Sequence, residues 1–297
     1  MPDRVDVRCS DCSRAAGEQL AGTATTVDEW LLLEVPGSWP RDVGSGDGAP
    51  DRHRAAAGRW LAATTGRRLL FVRRPGRTTG LPLAFVVTAR ESERAVRRIE
   101  LEPGAVSGVL DFDVDGEPVD ARLVLVCGHG SRDVCCALRG TAVYGVLAGR
   151  LGDEELWVSS HQGGHRFAAN VIVLPAGLHL GRVEPDEAPD VVARALAGWI
   201  DLDRYRGRTC YPPLVQAAEH AIRTAGRIER VSELELAAVE DGLVRFRALD
   251  GSERRARVAE VDGPLVPSSC GDEPEPQRAF VATSELALSA SDGTSGP

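Results

Sequence analysis

The stretch CGHGSRDVCCALRG, from Cys127 to Gly140, and the stretch HQGGH, from His161 to His165, gather three of the seven cysteines and three of the six histidines into 39 residues. Thiolate and imidazole are the side chains that hold borderline and soft metals, so this density points to metal or redox chemistry. Cys127 and Cys136 are separated by eight residues, a loop long enough to wrap a cluster as well as a single ion. Cys135 and Cys136 stand at the expected start of a helix, where unpaired N–H groups and the helix dipole favour thiolate. Gly163 and Gly164 lie between His161 and His165 and permit backbone shapes that a Cβ would block, so both imidazoles can converge on one centre. Cys127, Cys136, His161 and His165 therefore suit an iron–sulfur cluster or one structural Zn2+ in a Cys2His2 set; the spacing is unlike that of a zinc finger. Cys135 reads as a packing cysteine, with ligand and redox thiol as its other readings.

The remaining reactive residues have plainer readings. His129 is a loop histidine, or a proton donor beside the centre. Arg132 and Asp133 are expected to form a local ion pair that stiffens the loop. Cys9 and Cys12 form a Cys-x-x-Cys without a second pair nearby, and read as an exposed reduced pair on a mobile end, with zinc binding as the other reading. Cys210 and Cys270 read as core or surface thiols. Tyr205, Arg206 and Arg208 read as a solvated approach to a helix, or as a docking patch. Trp39 reads as a loop anchor.

The elements that must position these residues follow from apolar period and punctuation. WLLLEV (Trp30 to Val35) is a short buried strand, Asp51 to Gly66 a capped helix, and RRLLFVRR and LPLAFVVTAR two more strands. The order then recurs: strand Ala121 to Cys127, a helix from near Cys135 to Gly152, strand ELWVSS, strands NVIVLP and LHLGRV, and the helix PDEAPDVVARALAGWI. Strand, loop, helix, strand, loop, strand pair and helix is the order of a thioredoxin-like unit. The expected fold class is α/β, divided as follows: a degenerate thioredoxin-like copy in 1–110, the thioredoxin-like domain in 118–200, a helix and three-stranded β-meander in 201–287, and a disordered tail in 288–297. The meander rests on period-two alternation and the Asp-Gly pairs at 241–242 and 250–251.

Composition bounds the function. A chain of 297 residues with 43% hydrophobic and 27% charged content reads as a soluble globular protein. Its net charge of −9 disfavours nucleic-acid binding. The charged first residues lack the apolar region of a secretory signal, and no run approaches the roughly 18 apolar residues of a membrane span. A cytoplasmic setting, where thiols stay reduced, is expected.

The pattern Cys-x8-Cys followed by His-x3-His, with HQGGHRFAANV after a WVSSH strand, resembles the sucrase/ferredoxin-like family. Its C-x-H-x-x-R-D-x-x-C form is matched by Cys127, His129, Arg132, Asp133 and Cys136. GTA at Gly22 to Ala24, WLLLEV, and GRTCYPP at Gly207 to Pro213 extend the resemblance over most of the chain to about residue 220. It implies a thioredoxin-like ferredoxin whose [2Fe–2S] cluster is held by Cys127, Cys136, His161 and His165, with the histidines replacing the Cys-x3-Cys of ordinary ferredoxins of that fold. Two thiolates would hold one iron and two imidazoles the other. Neutral imidazole in place of thiolate raises the potential, and a ring N–H makes it vary with pH. The implied role is electron transfer, as a carrier rather than an enzyme with its own substrate pocket. A redox partner protein, by analogy a flavin reductase, is expected, with no nucleic acid and no membrane. No paired-carboxylate pattern of a glycosidase supports the "sucrase" of the family's name. The alternatives are a thiol-disulfide oxidoreductase using Cys135–Cys136 or Cys9–Cys12, and a zinc-stabilised interaction module. Against the first, no Cys-x-x-Cys sits at a strand-to-helix junction.

Overall fold

The computed structural model describes residues 8–76, 80–101 and 110–285. The fold is mixed α/β, with a ten-stranded and a four-stranded sheet and five α-helices among those residues. In the large sheet, β1 (Glu29–Glu34) and β2 (Arg67–Arg73) run parallel and are joined by α2 (Asp51–Ala63). β3 (Leu83–Ala89) pairs antiparallel with β1, and β4 (Arg94–Glu100) with β3. The second quartet repeats this plan. β6 (Leu123–Cys127) and β7 (Leu156–Ser159) run parallel and are joined by α3 (Val134–Leu147). β8 (Val171–Leu174) pairs antiparallel with β6, and β9 (Leu178–Leu180) with β8.

The two quartets meet edge to edge, β2 against β7 antiparallel, with Val72 opposite Ser159 and Arg73 opposite Val158. β5 (Glu117–Pro118) and β10 (Tyr205–Arg208) close the outer edges, so strands from both quartets form one ten-stranded sheet. LVLVC in β6 is buried at every position, as a central strand covered on both faces must be. Val124 and Val126 face a core shared with Val143 and Leu147 of α3. Leu123 and Leu125 face the other side, where they join Trp30, Phe85 and Trp157 in a core common to both quartets. Alternation along the strand thus bonds the halves on one face and seats α3 on the other.

α1 (Cys9–Ala15) packs against the short turn His165–Phe167, and α4 (Ala188–Leu196) covers the second quartet. α5 (Pro213–Gly226) opens with proline at its first position, as the sequence suggests, and lies on the small sheet β11 (Leu234–Glu240), β12 (Leu243–Ala248), β13 (Glu253–Pro267), β14 (Pro274–Glu285). The expected three-stranded meander therefore has a fourth strand. The helix after Cys135 stops at Leu147, short of Gly152. The expected tail, 288–297, lies outside the described residues. No helix among the described residues is long and apolar enough to cross a membrane.

Candidate metal centre

β6 delivers Cys127 to the sheet's edge, and the chain returns through residues 128–133 to α3. Asp133 caps that helix: its Oδ1 accepts the Cys135 N–H at 2.8 Å. The cap sets Cys136 in the first turn, facing Cys127. β7 ends one residue before Ser160 and leads to His161. The ligand atoms of Cys127, Cys136 and His161 all lie within 4.8 Å of one another. His165 stands beside them, its ring centroid 4.8 Å from that of His161. All four expected ligands are thus gathered in one place, three of them in the tightest group.

The electrostatics of the four suit a cation. The Cys136 thiol donates to the Cys127 sulfur and holds it well below the ordinary thiol value, with His161 adding to this against the cost of burial. The same bond, together with burial, pushes Cys136 well above its ordinary value. One thiolate is therefore already favoured. Burial and the neighbouring His161 lower His165, which keeps it neutral and able to coordinate. The Nδ1 atoms of both His161 and His165 are buried without a hydrogen-bond partner. A buried polar atom left bare is costly, and coordination would satisfy both. The residues present fit a metal-based group.

Supporting residues fix this geometry. His129 is buried, with Nε2 2.9 Å from the Pro40 carbonyl and Nδ1 3.1 Å from the His161 N–H. Donation to Pro40 leaves Nδ1 as acceptor, so His129 holds the backbone of His161. Trp39 stacks edge-on against His129 at 5.7 Å, and its carbonyl accepts the Ser131 hydroxyl at 2.6 Å. The loop after β1 thereby clasps the metal loop, in keeping with the anchor reading of Trp39. The histidine loop is pinned by Arg206, whose Nη1 donates to the Gly163 carbonyl at 2.9 Å and to Asn170 Oδ1 at 2.8 Å. Gly163 and Gly164 have φ of 100° and 67°, the region open to glycine. His165 Nε2 meets the Ser269 hydroxyl at 2.8 Å, which aims its Nδ1 inward.

Several expectations are corrected. Arg132 and Asp133 do not form an ion pair among the described residues; Asp133 turns inward, and its oxygens accept the N–H groups of Cys135 and Cys270. Burial works against its charge, yet the Cys270 and Cys135 N–H groups and His165 hold Asp133 below the usual carboxylate range. Cys9 is not exposed on a mobile end: it is fully buried in α1, against Cys135 and Cys270. Tyr205, Arg206 and Arg208 are neither a solvated approach nor a docking patch. They are buried in β10, where the Tyr205 hydroxyl donates to Glu219 and Arg208 to the Tyr211 hydroxyl. Cys135 is buried, as its packing reading requires.

Gly140 is a residue the sequence reading passed over. A Cβ there would lie 1.9 Å from the Cys127 carbonyl oxygen. Only glycine lets α3 press this closely on the strand end that carries the ligand. The available signal was a glycine inside an otherwise helical run.

The family profile described as sucrase/ferredoxin-like matches residues 20–207. Curated relatives named Altered inheritance of mitochondria protein 32 include that of Meyerozyma guilliermondii, 32% identical over 106 residues, which are 32% of this chain and 38% of the relative. That of Eremothecium gossypii is 32% identical over 139 residues, 42% of this chain and 44% of the relative. The chain therefore spans less than half the length of these relatives. No solved structure matches it significantly.

Proposed function

This chain belongs to the sucrase/ferredoxin-like family, and from that premise we propose that it is an electron carrier in which Cys127, Cys136, His161 and His165 hold a [2Fe–2S] cluster at the edge of a thioredoxin-like unit. When bound, the cluster supplies one-electron chemistry. The observation that carries the reading is the convergence of Cys127, Cys136 and His161 within 4.8 Å, beside two buried and unpartnered Nδ1 atoms. His165 lies outside that tightest group. With His165 outside that group, the four donors suit two metal atoms better than one tetrahedral zinc, whose four ligand atoms would all sit within about 4 Å of one another.

The chain's own residues divide the work. Cys127 and Cys136 supply anionic sulfur for one iron, and His161 and His165 neutral nitrogen for the other. His129 and Arg206 orient the histidine loop. A cleft of about 300 Å3 reaches His161; Arg41, Arg68, Arg132 and Asp42 line it, with Arg67, which is paired with Glu29 and Asp113. Arg68 also donates to the His161 carbonyl at 2.8 Å. Such a cationic approach suits an acidic face on a partner, since complementary charge steers encounter. The partner class remains a redox protein, by analogy a flavin reductase. The equivalence of the two quartets as thioredoxin-like copies, the domain limits and the cytoplasmic setting belong to this same reading.

Anaerobic purification followed by iron and sulfide assay tests it. Equimolar iron and acid-labile sulfide with a red-brown colour supports the cluster. Colourless protein loaded with zinc at Cys127 and Cys136 would replace it with a zinc-stabilised module, and colourless metal-free protein with thiol chemistry.

A further inference from the structure

A second group of side chains able to bind a metal lies beside the centre described above and shares no ligand with it. Cys9, Cys135, Cys270 and Asp133 place all their ligand atoms within 4.8 Å of one another. Cys9 and Cys135 come from the N-terminal helix and the first turn of α3, and Cys270 from the turn between β13 and β14. The Sγ–Sγ distances are 3.7 Å for Cys9–Cys135, 3.4 Å for Cys135–Cys270 and 3.6 Å for Cys270–Cys9. Asp133 Oδ1 lies 3.3 Å from Cys270 Sγ and 3.9 Å from Cys9 Sγ.

Five of the six edges of a four-ligand cage are thereby given, and the sixth, from Cys135 Sγ to the Asp133 carboxylate, lies within 4.8 Å. Zinc with bonds of about 2.3 Å to sulfur and about 2.0 Å to oxygen sets its sulfurs roughly 3.8 Å apart and sulfur roughly 3.5 Å from oxygen. The observed edges need to move by only tenths of an ångström. Two plainer accounts fit less well. A disulfide needs sulfurs about 2.05 Å apart and would leave a third thiol and a carboxylate over. Thiols packed as small apolar groups would leave the buried charge of Asp133 offset only by two backbone N–H groups, weak S–H donors and His165 Nε2 at 3.8 Å. Asp133 is 5% exposed among them. Its oxygens each take one backbone N–H, at 2.8 Å from Cys135 and 2.9 Å from Cys270, which fixes the carboxylate and leaves lone pairs free.

We propose that Cys9, Cys135, Cys270 and Asp133 bind one structural Zn2+. Three thiolates select zinc over harder divalent ions, and four protein ligands with no open position mark a structural site rather than a catalytic one. As three sulfur–zinc bonds form, three thiol protons leave for water; the carboxylate brings none. The ion ties together segments 126 and 135 positions apart in the chain. α1 has seven residues and no side-chain cap, too few to hold a helix unaided; Arg139 and Arg182 hold it through Ser10, Asp11 and Ser13, and zinc adds a tie through Cys9.

The test is metal analysis of the full chain, purified anaerobically from zinc-supplied cells, with zinc K-edge absorption on the same sample. Zinc is counted separately from iron and sulfide, so the result stands whether or not the iron–sulfur reading does. Expected are one zinc per chain, and a first shell of sulfur at about 2.3 Å with one oxygen at about 2.0 Å. Cys9→Ser and Cys270→Ser should each weaken zinc by at least the roughly 10–100-fold that loss of even a supporting residue costs, and leave the visible chromophore in place. Wild-type protein without zinc overturns the proposal. So does zinc that survives both substitutions but is lost in Cys127→Ser, which would put the ion in the other site.

Discussion

At the end of β1, Glu34 stands opposite Val72, and Arg74 follows two residues later; at the end of β6, Cys127 stands opposite Ser159, and His161 follows two residues later. The same register of the same supersecondary unit thus carries an ion pair in one half and metal-binding groups in the other. In the first half the polar groups satisfy one another. Arg74 Nη2 donates to Glu34 Oε2 at 2.8 Å, and that oxygen also accepts the Leu83 N–H at 2.9 Å. Arg74 lies over the Trp157 ring at 4.3 Å. In the second half, two imidazole nitrogens have no partner and the two thiols have chiefly each other. A strand-end pocket on this scaffold is polar either way. The difference lies in whether its groups close on themselves or leave their valences open.

Loop length separates the halves as well. The chain from β1 to α2 takes residues 35–50, and that from β6 to α3 takes residues 128–133. The longer loop folds over the shorter, with Trp39, Pro40 and Arg41 bonding Ser131, His129 and the Arg132 carbonyl. The second quartet carries the candidate ligands, and the loop of the first supports their loop.

The largest test of this contrast removes a ligand. Cys136→Ser should abolish the visible chromophore, and Cys135→Ser should keep it, read by absorption of anaerobic samples. Colour lost in the second and kept in the first would exchange the two cysteines' roles.

Changing both His161 and His165 to Cys should keep a cluster while lowering its potential by on the order of a few hundred millivolts, the scale separating Rieske from plant-type centres. The pH slope of the potential between about 6 and 9 should flatten, because thiolate has no ring proton to release. Voltammetry across that range checks both. An unchanged potential and slope would remove the histidines from the iron.

In the closed half, Glu34→Ala leaves Arg74 buried without its partner. Unfolding in urea should show a loss of about 3–5 kcal/mol, with the chromophore intact in the folded protein. Glu34→Met with Arg74→Met should recover much of that loss, since an apolar pair can stand in for a buried ion pair. Bleaching by Glu34→Ala in still-folded protein would mean the halves are coupled at the metal.

The smallest tests compare helix packing. Gly140→Ala forces α3 off the Cys127 carbonyl and should cost roughly 1–3 kcal/mol, with reduced cluster loading. Gly58→Ala in α2 meets nothing within 4 Å and should stabilise by about 0.5–1 kcal/mol. Equal effects at the two positions would deny that close helix approach is special to the binding half.

The binding half was legible because its signals are local. An apolar run, a glycine-containing loop and a cysteine at a helix start fall within a few residues, and the His-x3-His follows the next strand directly. What escaped was set by distant partners. YRGR in β10 has no apolar pattern, and is buried because Arg206 finds carbonyls and Asn170, and Tyr205 finds Glu219, elsewhere in the chain. Cys9 reads as a terminal thiol until α1 brings it to Cys135 and Cys270. Asp133 beside Arg132 invites a local pair, yet the helix start it caps turns it inward. PEPQRAF begins with prolines that argue against a strand, and becomes β14 by pairing with β13 at the sheet's edge.

We infer that the half with open valences holds an iron–sulfur cluster and the half with the ion pair holds none. Electron paramagnetic resonance of the dithionite-reduced full chain tests it most directly, with iron and sulfide counted on the same sample. The account predicts a single rhombic signal whose g-values average below the free-electron value, as in Rieske-type centres, with equal iron and sulfide, retained in Glu34→Gln and absent in Cys127→Ser. A silent, colourless protein carrying zinc and no iron, or a signal that survives Cys127→Ser, would contradict it.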